Sequence, residues 1–375
     1  MKNVTIIGDF CYPNFMGGSS KHVYDLICNL PTDVVDWNLI TRRSSKSNEY
    51  SADEIEAQTK FDSFKRNRRI KEVSVLNIFN PLTYLNKIRK SQYVVLQHPV
   101  MGLFGAILGR CLHKKVIYHY HGPLHIEYYM KSGKRGLHYN ILWLMQKLTV
   151  MLSQMVLTHS SYMKSISQRE HSVPDNKSIN LPPYIERVES DVKLPYFKDD
   201  NKIKLLIPRR LTARTGIIEF LKAFLIFPED FRNKFHIYIS GKGELQSKVE
   251  SLVKQDSQNI QYIGFISYNE LWSLYTKVDA VVVPTLDLEG FGYIILEAMS
   301  CGAMPLVSKT CGGGFEFVEK HLGSEYVFDI YSPKSIQDTL SIITQYRNNR
   351  NKYMQIASVF STKNMIKTYL EKILK

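Results

Sequence analysis

The sequence predicts an α/β protein of two domains, each a parallel β-sheet with helices on both faces, which face each other across a cleft. The 375 residues exceed what one hydrophobic core usually supports. Short apolar segments alternate with longer amphipathic segments, as strands and helices do in parallel sheets. This alternation occurs twice, on either side of a charged segment without periodicity. Ligands of such folds bind at the carboxyl ends of the strands.

The first alternating set occupies residues 1–185, which we expect to form the N-terminal domain. It opens with a strand, a loop with two glycines, and a helix from about Ser20 to Leu30 that ends before Pro31. The strand candidates are Val4–Gly8, Val34–Ile40, Val94–Gln97, Val116–Tyr120 and Met155–His159.

Residues 186–202 are charged, contain a proline and lack periodicity, so we interpret them as a linker. The second set occupies residues 203–354, and a C-terminal helix over about 355–375 is expected to pack back on the first domain. A capping box at Ser267–Glu270 predicts a helix start. The strand candidates are Ile203–Ile207, Phe235–Ser240, Asn259–Ile263, Ala280–Val283 and Pro305–Val307.

The composition is that of a globular protein, with 44% hydrophobic and 22% charged residues. The five cysteines form no CxxC pair and no metal-binding spacing, and they are too few for a disulfide framework. The N-terminus does not resemble a signal peptide. The most apolar window, Ile141–Leu157, is interrupted by polar residues. We therefore expect a cytoplasmic protein without a membrane-spanning helix.

The net charge of +14 is concentrated in the first half of the chain. Residues 1–185 carry 24 Lys and Arg against 13 Asp and Glu, whereas residues 186–375 carry 25 against 22. A basic face favours an anionic partner, such as a phosphate-bearing lipid, an anionic membrane surface or nucleic acid. The densest cluster, Phe61–Lys71, fits a membrane interface and a solvated loop equally well.

The segment Asp287–Gly302 carries the most specific pattern. A buried strand ending at Pro284 precedes it, and a helix over Gly292–Ser300 follows a Gly-Phe-Gly turn. The free N–H groups and dipole of such a helix start attract phosphate. Glu297 lies among apolar residues, where an unpaired carboxylate costs several kcal/mol, roughly the penalty for a buried charge. A ligand rich in hydroxyls, such as a ribose, would supply its partner; the alternative is a carboxylate that caps a neighbouring loop.

Further short motifs follow one another along the whole chain, and together they resemble those of the retaining glycosyltransferases of family 4. That family has the GT-B fold, in which two Rossmann-like domains face each other. The matching residues are Gly17-Gly18 with His22-Val23, His121-Gly122, Ser160, Arg210-Leu211 with Gly216, Gly241 and Gly243, Pro284, Glu289, Phe291-Gly292, Glu297-Ala298, Gly302, Pro305, and Gly312-Gly313 with Glu316.

The resemblance implies a nucleotide-sugar donor, with UDP or GDP, bound mostly by the C-terminal domain, while the N-terminal domain binds the acceptor. It implies Glu289 and His121 as catalytic residues. Glu289 would orient the transferred sugar, and Glu297 would bind the ribose. The residues implied in donor binding are Arg210, Arg214, Gly241, Gly292, Tyr293, Glu297, Gly17 and Gly18.

The chemistry that the family performs explains these residue types. An oxocarbenium-like transition state forms while negative charge grows on the departing diphosphate. An arginine and fixed helix dipoles are most useful at that point. We therefore expect neither a metal nor a cofactor. Retention of configuration is attributed to attack on the face of the leaving group, with the donor phosphate accepting the proton.

Two positions depart from the family pattern. Thr215 stands where the family usually has lysine, and Arg209 stands where it has glycine before the matched arginine. Either Arg209 or Arg214 then reaches the diphosphate in place of the lysine, or donor binding is weaker.

Three interpretations depend on local context. His119 and His121 lie on the same side of a strand, and the glycine that follows favours His121 as the functional residue.

Asp287-Leu288-Glu289 resembles an acidic metal site, but the helix start directly after it argues against that. The helix predicted over about Leu137–Met151 has an apolar face, which we expect to pack in the core rather than to anchor a membrane.

These observations predict a retaining, metal-independent hexosyltransferase that uses a lipid-linked or polysaccharide acceptor in the synthesis of a surface polysaccharide, such as O-antigen or capsule. Its basic N-terminal half predicts peripheral association with the inner face of the cell membrane. A nucleotide-sugar epimerase of the same architecture is the alternative among enzymes. A nucleic-acid-binding protein is the distant alternative, since the chain lacks a recognisable binding motif, and we expect no nucleic-acid partner.

Overall fold

A computed structural model describes residues 1–15, 18–44, 52–181, 183–198 and 200–375, without the side chains of residues 52–54. The chain divides into two compact units. Unit 1 comprises Met1–Pro182 together with Lys363–Lys375, and unit 2 comprises Pro183–Thr362.

Unit 1 is built on a seven-stranded sheet of order β3-β2-β1-β4-β5-β6-β7. All neighbouring strands pair in parallel. The strands are β1 (Lys2–Gly8), β2 (Val35–Arg42), β3 (Ile70–Val73), β4 (Tyr93–Leu96), β5 (Lys115–His119), β6 (Met155–Thr158) and β7 (Ser178–Asn180). The helices are α1 (Gly18–Asn29), α2 (Ala52–Arg66), α3 (Leu82–Lys90), α4 (Pro99–Cys111), α5 (Leu124–Ser132), α6 (Leu137–Leu152) and α7 (Ser161–His171).

Unit 2 contains a six-stranded sheet of order β10-β9-β8-β11-β12-β13, again parallel throughout. The strands are β8 (Ile203–Pro208), β9 (Phe235–Ser240), β10 (Ile260–Gly264), β11 (Ala280–Val283), β12 (Met304–Ser308) and β13 (Val327–Phe328). The helices are α8 (Ile217–Leu225), α9 (Glu229–Arg232), α10 (Gln246–Val253), α11 (Tyr268–Lys277), α12 (Tyr293–Ser300), α13 (Gly313–His321), α14 (Pro333–Ser341), α15 (Ile343–Tyr346) and α16 (Arg350–Val359). Helix α17 (Thr362–Thr368) begins at the boundary between the units.

Each sheet has one place where the strand order reverses. In unit 1 it lies between β1 and β4, and in unit 2 between β8 and β11. At such a switch point the connections leave toward opposite faces of the sheet, and a crevice opens at the carboxyl ends of the two strands. The loops after β8 and β11 therefore determine where unit 2 can hold a ligand.

The predicted class, two parallel-sheet α/β domains, is confirmed. Every predicted strand is present, with ends that shift by at most two residues. Sequence reasoning missed three short strands, β3, β7 and β13, of four, three and two residues. Segments of this length are too short to show a hydrophobic period.

The residues predicted as a linker, 186–202, belong to unit 2. Leu194 is buried in the core of that unit. The backbone N–H of Lys198 donates to the Tyr238 hydroxyl at 2.8 Å, and the Ser190 hydroxyl donates to the carbonyl of Asn269 at 2.8 Å. The segment is irregular, yet it packs on the unit that follows it. At the C-terminus, residues 363–375 belong to unit 1 and residues 355–362 to unit 2.

The basic cluster Phe61–Lys71 is neither a loop nor a set of exposed aromatic side chains. Its first part lies in α2 and its last part in β3. Phe61 is buried, and the ring of Phe64 packs edge-on against Trp37 with centroids 5.0 Å apart. The interpretation in which these phenylalanines enter a membrane is wrong, because they face the core of unit 1.

Helix α6 exposes most of its apolar side chains. Leu142 and Val150 are buried as expected, but Gln146 and Thr149 share that buried face. The stripe that remains exposed consists of Leu137, Ile141, Leu144, Leu148 and Met151. The prediction that the apolar face of this helix packs in the core is therefore wrong for this stripe. Among the helices of the described residues, none is both long and apolar enough to cross a membrane.

We predict that the protein loses stability as the pH falls from about 6.5 toward 4. Burial lowers the pKa of His171 to about 3, with His125 adding repulsion and Glu170 opposing it, and burial lowers the pKa of His236 to about 4, with Lys198 adding repulsion. Unfolded histidine titrates near 6.5. The unfolded chain therefore binds more protons below that pH, and unfolding is favoured.

The melting temperature, followed by calorimetry at pH 7, 6 and 5, should fall stepwise. His171→Gln keeps a hydrogen-bonding side chain beside the Tyr120 hydroxyl and should reduce the dependence on pH. A melting temperature that is constant over this range would contradict the prediction.

Candidate active site

Arg209 bridges the switch point of unit 2. It follows β8 directly, and its guanidinium donates to the Thr285 hydroxyl at 2.8 Å, two residues beyond the end of β11. The same guanidinium forms an ion pair with the Glu289 carboxylate. The Arg209 side chain is 7% exposed and that of Glu289 15% exposed. Removing one partner of such a buried ion pair lowers the free energy of unfolding of the protein by about 3–5 kcal/mol.

The Glu289 carboxylate is held in its charged form. Burial by itself would raise the pKa of this carboxyl, but the positive charges of Arg209 and Arg214 outweigh burial, and the pKa is lowered. Arg214 lies 3.7 Å from the carboxylate and donates to the carbonyl of Leu288 at 2.8 Å. The structure thus brings together three sequence-predicted residues, and it places an ionised acid with two arginines at the switch point.

Thr215 does not replace the family lysine as a ligand-binding group. Its side chain is buried, and its hydroxyl is within hydrogen-bonding distance of the carbonyls of Arg210 and Thr212, at 2.8 and 2.7 Å. It therefore stabilises the turn after β8. Arg210 is exposed, in contrast with the buried Arg209.

Two helix starts lie close to this carboxylate. Helix α12 begins after Gly292, and helix α13 begins after Gly312. A Cβ atom on Gly314 would lie 2.8 Å from the carbonyl oxygen of Phe291, so the backbones of the two starts nearly touch. The backbone N–H of Gly313 also donates to the Glu289 carbonyl at 3.1 Å. The positive ends of two helix dipoles and the arginines make this corner suitable for an anionic ligand.

Glu297 lies on α12 and is half-buried. The Tyr275 hydroxyl donates to its carboxylate at 2.9 Å. The carboxylate that seemed to need a ligand thus has a partner within the protein. Its assignment to a ribose stays a prediction.

Gly241 lies against the backbone of Arg209–Leu211, the turn after β8 that we call the arginine turn. Its φ is +146°, and a Cβ atom there would lie 1.9 Å from the carbonyl oxygen of Arg209. The neighbouring Lys242 carbonyl accepts from the N–H of Leu211 at 3.0 Å. The glycine predicted to bind the donor therefore allows the loop after β9 to approach the backbone of Arg209–Leu211.

In unit 1, His121 follows β5 and is half-buried. Its Nε2 is 3.0 Å from the Oε1 of Gln97, which follows β4. Burial lowers the pKa of His121 to about 3, with His159 adding repulsion. The ring is thus a neutral imidazole whose Nε2–H donates to Gln97, so its Nδ1 carries a lone pair.

Gln146 of α6 stabilises the turn after His121. Its Nε2 donates to the carbonyl of Gly122 at 2.8 Å, and its Oε1 accepts from the N–H of Leu124 at 2.9 Å. Asp9, which follows β1, pairs with His98 at 2.5 Å and accepts from the N–H of Met101 at 2.9 Å. Gly18 is the first residue of α1, whereas Gly17 lies outside the described residues.

Sequence reasoning missed the residues that orient the predicted ones. Thr285 supports Arg209, Gln97 supports His121, and Gln146 supports Gly122. Their signal was weak: Gln97 and Thr285 are polar residues one and two positions after buried strands at a switch point, and Gln146 is a polar residue on a buried helix face. The supporting role of each residue can be recognised only once its hydrogen-bond partner is known.

Family models match nearly the whole chain. The model described as Glycosyltransferase Family 4 matches residues 16–185, and the model described as Glycosyl transferases group 1 matches residues 191–358. The chain belongs to glycosyltransferase family 4. It is therefore a glycosyltransferase, and its two units correspond to the two matched halves.

Curated relatives of this glycosyltransferase match only in part. A GDP-mannose-dependent monoacylated alpha-(1-6)-phosphatidylinositol monomannoside mannosyltransferase of Corynebacterium glutamicum is 30% identical over 122 residues, 30% of this chain and 31% of that protein. The O-antigen chain mannosyltransferase B of Escherichia coli is 34% identical over 100 residues, 26% of each chain. The chain thus spans well under half of the length of either relative.

Solved structures match over the full length. Anabaena HepE in complex with UDP and glucose has a TM-score of 0.71 at 15% identity and covers 100% of both chains. The lipopolysaccharide outer core galactosyltransferase WaaB in its apo form has a TM-score of 0.71 at 12% identity and covers 99% of both chains. At these identities the likeness establishes the GT-B fold of the family-4 enzyme and no substrate.

We predict that Gly241→Ala destabilises unit 2 and weakens the arginine turn. The positive φ and the contact with the Arg209 carbonyl both oppose a Cβ atom. Backbone strain of about 1–3 kcal/mol should lower the melting temperature by roughly 3–10 °C. Gly136→Ala is the control, since a Cβ atom there meets nothing within 4 Å. An equal melting temperature for the two variants would contradict the prediction.

Proposed function

We propose that this glycosyltransferase transfers a hexose from a nucleotide sugar with retention of configuration, without a metal ion in the donor site. The observation that carries the proposal is the ionised Glu289 between Arg209 and Arg214, beside two helix starts at the switch point of unit 2. This corner combines a fixed negative charge with several fixed positive groups. A sugar that becomes cationic next to a diphosphate that becomes anionic needs that combination.

The positive groups bind the leaving diphosphate. Arg210 is exposed, and Arg214 is half-buried with its guanidinium next to the loop of Glu289. Arg209 is held by Glu289 and Thr285. We therefore assign the role of the missing family lysine to Arg214. The dipoles at the starts of α12 and α13 favour the same negative charge, and we assign the backbone N–H of Tyr293 to the diphosphate as well.

The carboxylate of Glu289 binds hydroxyl groups of the transferred sugar and stabilises positive charge at its reacting carbon. Arg209 keeps the carboxylate ionised and fixes its orientation. The buried Nε of Arg209 has no hydrogen-bond partner among the described residues, so it can donate to an oxygen of the bound sugar. Glu297 binds the ribose, and the Tyr275 hydroxyl, which donates to its carboxylate, fixes its orientation.

His121 acts in the same reaction as a neutral group. Its Nε2–H is directed to Gln97, and its Nδ1 can accept a hydrogen bond from a sugar or acceptor hydroxyl. The proton of the attacking acceptor passes to the donor phosphate, the carbon–oxygen bond to the diphosphate breaks, and the new glycosidic bond forms on the same face.

The relatives support the substrate class. One is named for a GDP-mannose donor and a phosphatidylinositol mannoside acceptor, and another for mannosyl transfer to an O-antigen chain. HepE was crystallised with UDP and glucose. We propose a UDP- or GDP-hexose donor and a lipid-linked or polysaccharide acceptor in the synthesis of a surface polysaccharide by an enzyme on the inner face of the cell membrane.

Helix α6 supports peripheral membrane binding. Its exposed stripe repeats every three or four residues and extends over about four helical turns, from Leu137 (78% exposed) to Met151 (60% exposed). The segment 128–169 contains six Lys and Arg and no Asp or Glu. Three of these cations, Lys131, Lys134 and Arg135, are exposed just before the helix. An exposed apolar face beside cations suits an anionic lipid surface.

We predict that the purified protein transfers hexose from a UDP- or GDP-sugar without added Mg²⁺ or Mn²⁺. Glu289→Gln keeps the shape of the side chain but removes its charge, and it should reduce kcat by about 10²–10³-fold. Arg210→Ala should abolish transfer. Arg214→Ala should reduce it severely, and Arg214→Lys should recover part of it. Radiolabelled-donor assays with a lipid extract measure each rate.

Arg347→Ala and Glu319→Gln, at exposed positions of the same unit, are the matched controls and should retain full activity. Normal activity of Arg214→Ala would overturn the assignment of the lysine's role. Failure of the folded protein to transfer or hydrolyse any nucleotide sugar would overturn the proposed function.

We also predict that the protein binds vesicles containing phosphatidylglycerol more tightly than phosphatidylcholine vesicles, and less tightly as salt increases. Replacing both Leu144 and Leu148 by Gln should weaken binding by roughly 100-fold or more, because each leucine that enters the lipid contributes about 1.5 kcal/mol or more. Ile226→Gln, at an exposed apolar position of unit 2, is the control. Equal flotation of both variants would exclude α6 as the binding surface.

A further inference from the structure

Unit 1 contains a buried cluster of imidazole rings contributed by three separate elements. His22 lies on α1, His119 is the last residue of β5, and His159 directly follows β6. All three are buried. The ring centroid of His22 is 5.0 Å from that of His119 and 5.0 Å from that of His159, and those two are 6.2 Å apart.

One ring nitrogen from each of these histidines lies within 4.8 Å of the others. Among the His, Cys, Asp and Glu side chains of the described residues, these three histidines are the group of three that lies close enough together to hold one metal ion. Nitrogens bound to one tetrahedral Zn²⁺ are about 3.4 Å apart, given bonds of 2.0–2.1 Å. Small side-chain rotations are therefore enough to close the cluster around an ion.

Hydrogen bonds direct one nitrogen of His159 and one of His119 away from the cluster. The Nδ1 of His159 is 3.2 Å from the carbonyl oxygen of Leu181, which can only accept. Nδ1 therefore carries the proton, and Nε2 of the neutral ring presents a lone pair. Metal-binding histidines in proteins characteristically donate their second ring nitrogen to such a partner.

His119 is arranged in a similar way. Its Nε2 is 3.2 Å from the Tyr369 hydroxyl, and its Nδ1 is buried without a hydrogen-bond partner among the described residues. An unmet buried nitrogen costs about 1–3 kcal/mol. Coordination of a cation by Nδ1 would relieve this cost.

We propose that His22, His119 and His159 form a binding site for one divalent transition-metal ion of the Zn²⁺ class. A set of imidazole nitrogens without carboxylates selects Zn²⁺, Cu²⁺, Ni²⁺ or Co²⁺ over Mg²⁺ and Ca²⁺. Three protein ligands leave one position for water or an anion. The site joins α1 to the ends of β5 and β6, and so fixes the helix that begins at Gly18. It lies in unit 1 beside His121, whose ring centroid is 5.4 Å from that of His22.

Metal analysis of tag-free protein tests the site. Protein titrated with Zn²⁺ in competition with a chromophoric chelator should bind one equivalent, and the melting temperature should rise because the ion binds the folded state. X-ray absorption of the Zn²⁺ form should show imidazole nitrogens at about 2.0–2.1 Å. This spectrum requires no variant, so it tests the proposal even if a histidine replacement fails to fold.

The variants His119→Gln and His159→Gln should each lose the bound equivalent. Tyr369→Phe removes only the hydroxyl beside His119 and should weaken Zn²⁺ binding by about 10-fold or more. His236→Gln, which removes a buried histidine of unit 2, is the matched control and should bind Zn²⁺ like the parent. No binding at micromolar Zn²⁺, a spectrum dominated by oxygen ligands, or unchanged binding by folded His119→Gln would overturn the proposal.

Discussion

The candidate donor site depends on one ion pair, between Arg209 and Glu289. It joins the loops after β8 and β11, the two strands between which the order of the sheet reverses. A buried carboxylate without a partner would take up a proton or destabilise the fold. Arg209 prevents both, and the Thr285 hydroxyl fixes the guanidinium. The negative charge of Glu289 is therefore a consequence of packing within unit 2.

The same pair explains how two unusual residues can coexist in this family member. An arginine replaces the glycine before Arg210, and Thr215 replaces a lysine. The arginine is turned inward to the acid, while the threonine is turned inward to its own turn. Neither change leaves an unpaired charge. Under the proposed function Arg214 supplies the cation that is lost at Thr215, and its guanidinium lies between the backbone of the acidic loop and Glu289.

Unit 1 shows a related principle, in which polar groups are buried to support loops. Gln146 lies on the buried face of α6 because its amide bonds both Gly122 and Leu124. The orientation of α6 that buries Gln146 leaves leucines exposed on the opposite face of the helix. The arrangement of the loop after His121 and the exposed apolar stripe of α6 are thus two consequences of one helix orientation.

The sequence by itself determined the fold class, the long strands and the family, because strand hydrophobicity and motif order are local or sequential properties. The family resemblance also predicted Glu289, Arg210 and Arg214 as residues of one site, and the structure brings Glu289 and Arg214 together. The tertiary structure decided the pairing of Arg209 with Glu289, the Tyr275 partner of Glu297, the supports Gln97 and Thr285, and the exposed face of α6. These depend on contacts between residues distant in the chain. No local pattern records them, since periodicity shows that a helix has an apolar face but not which face the core accepts.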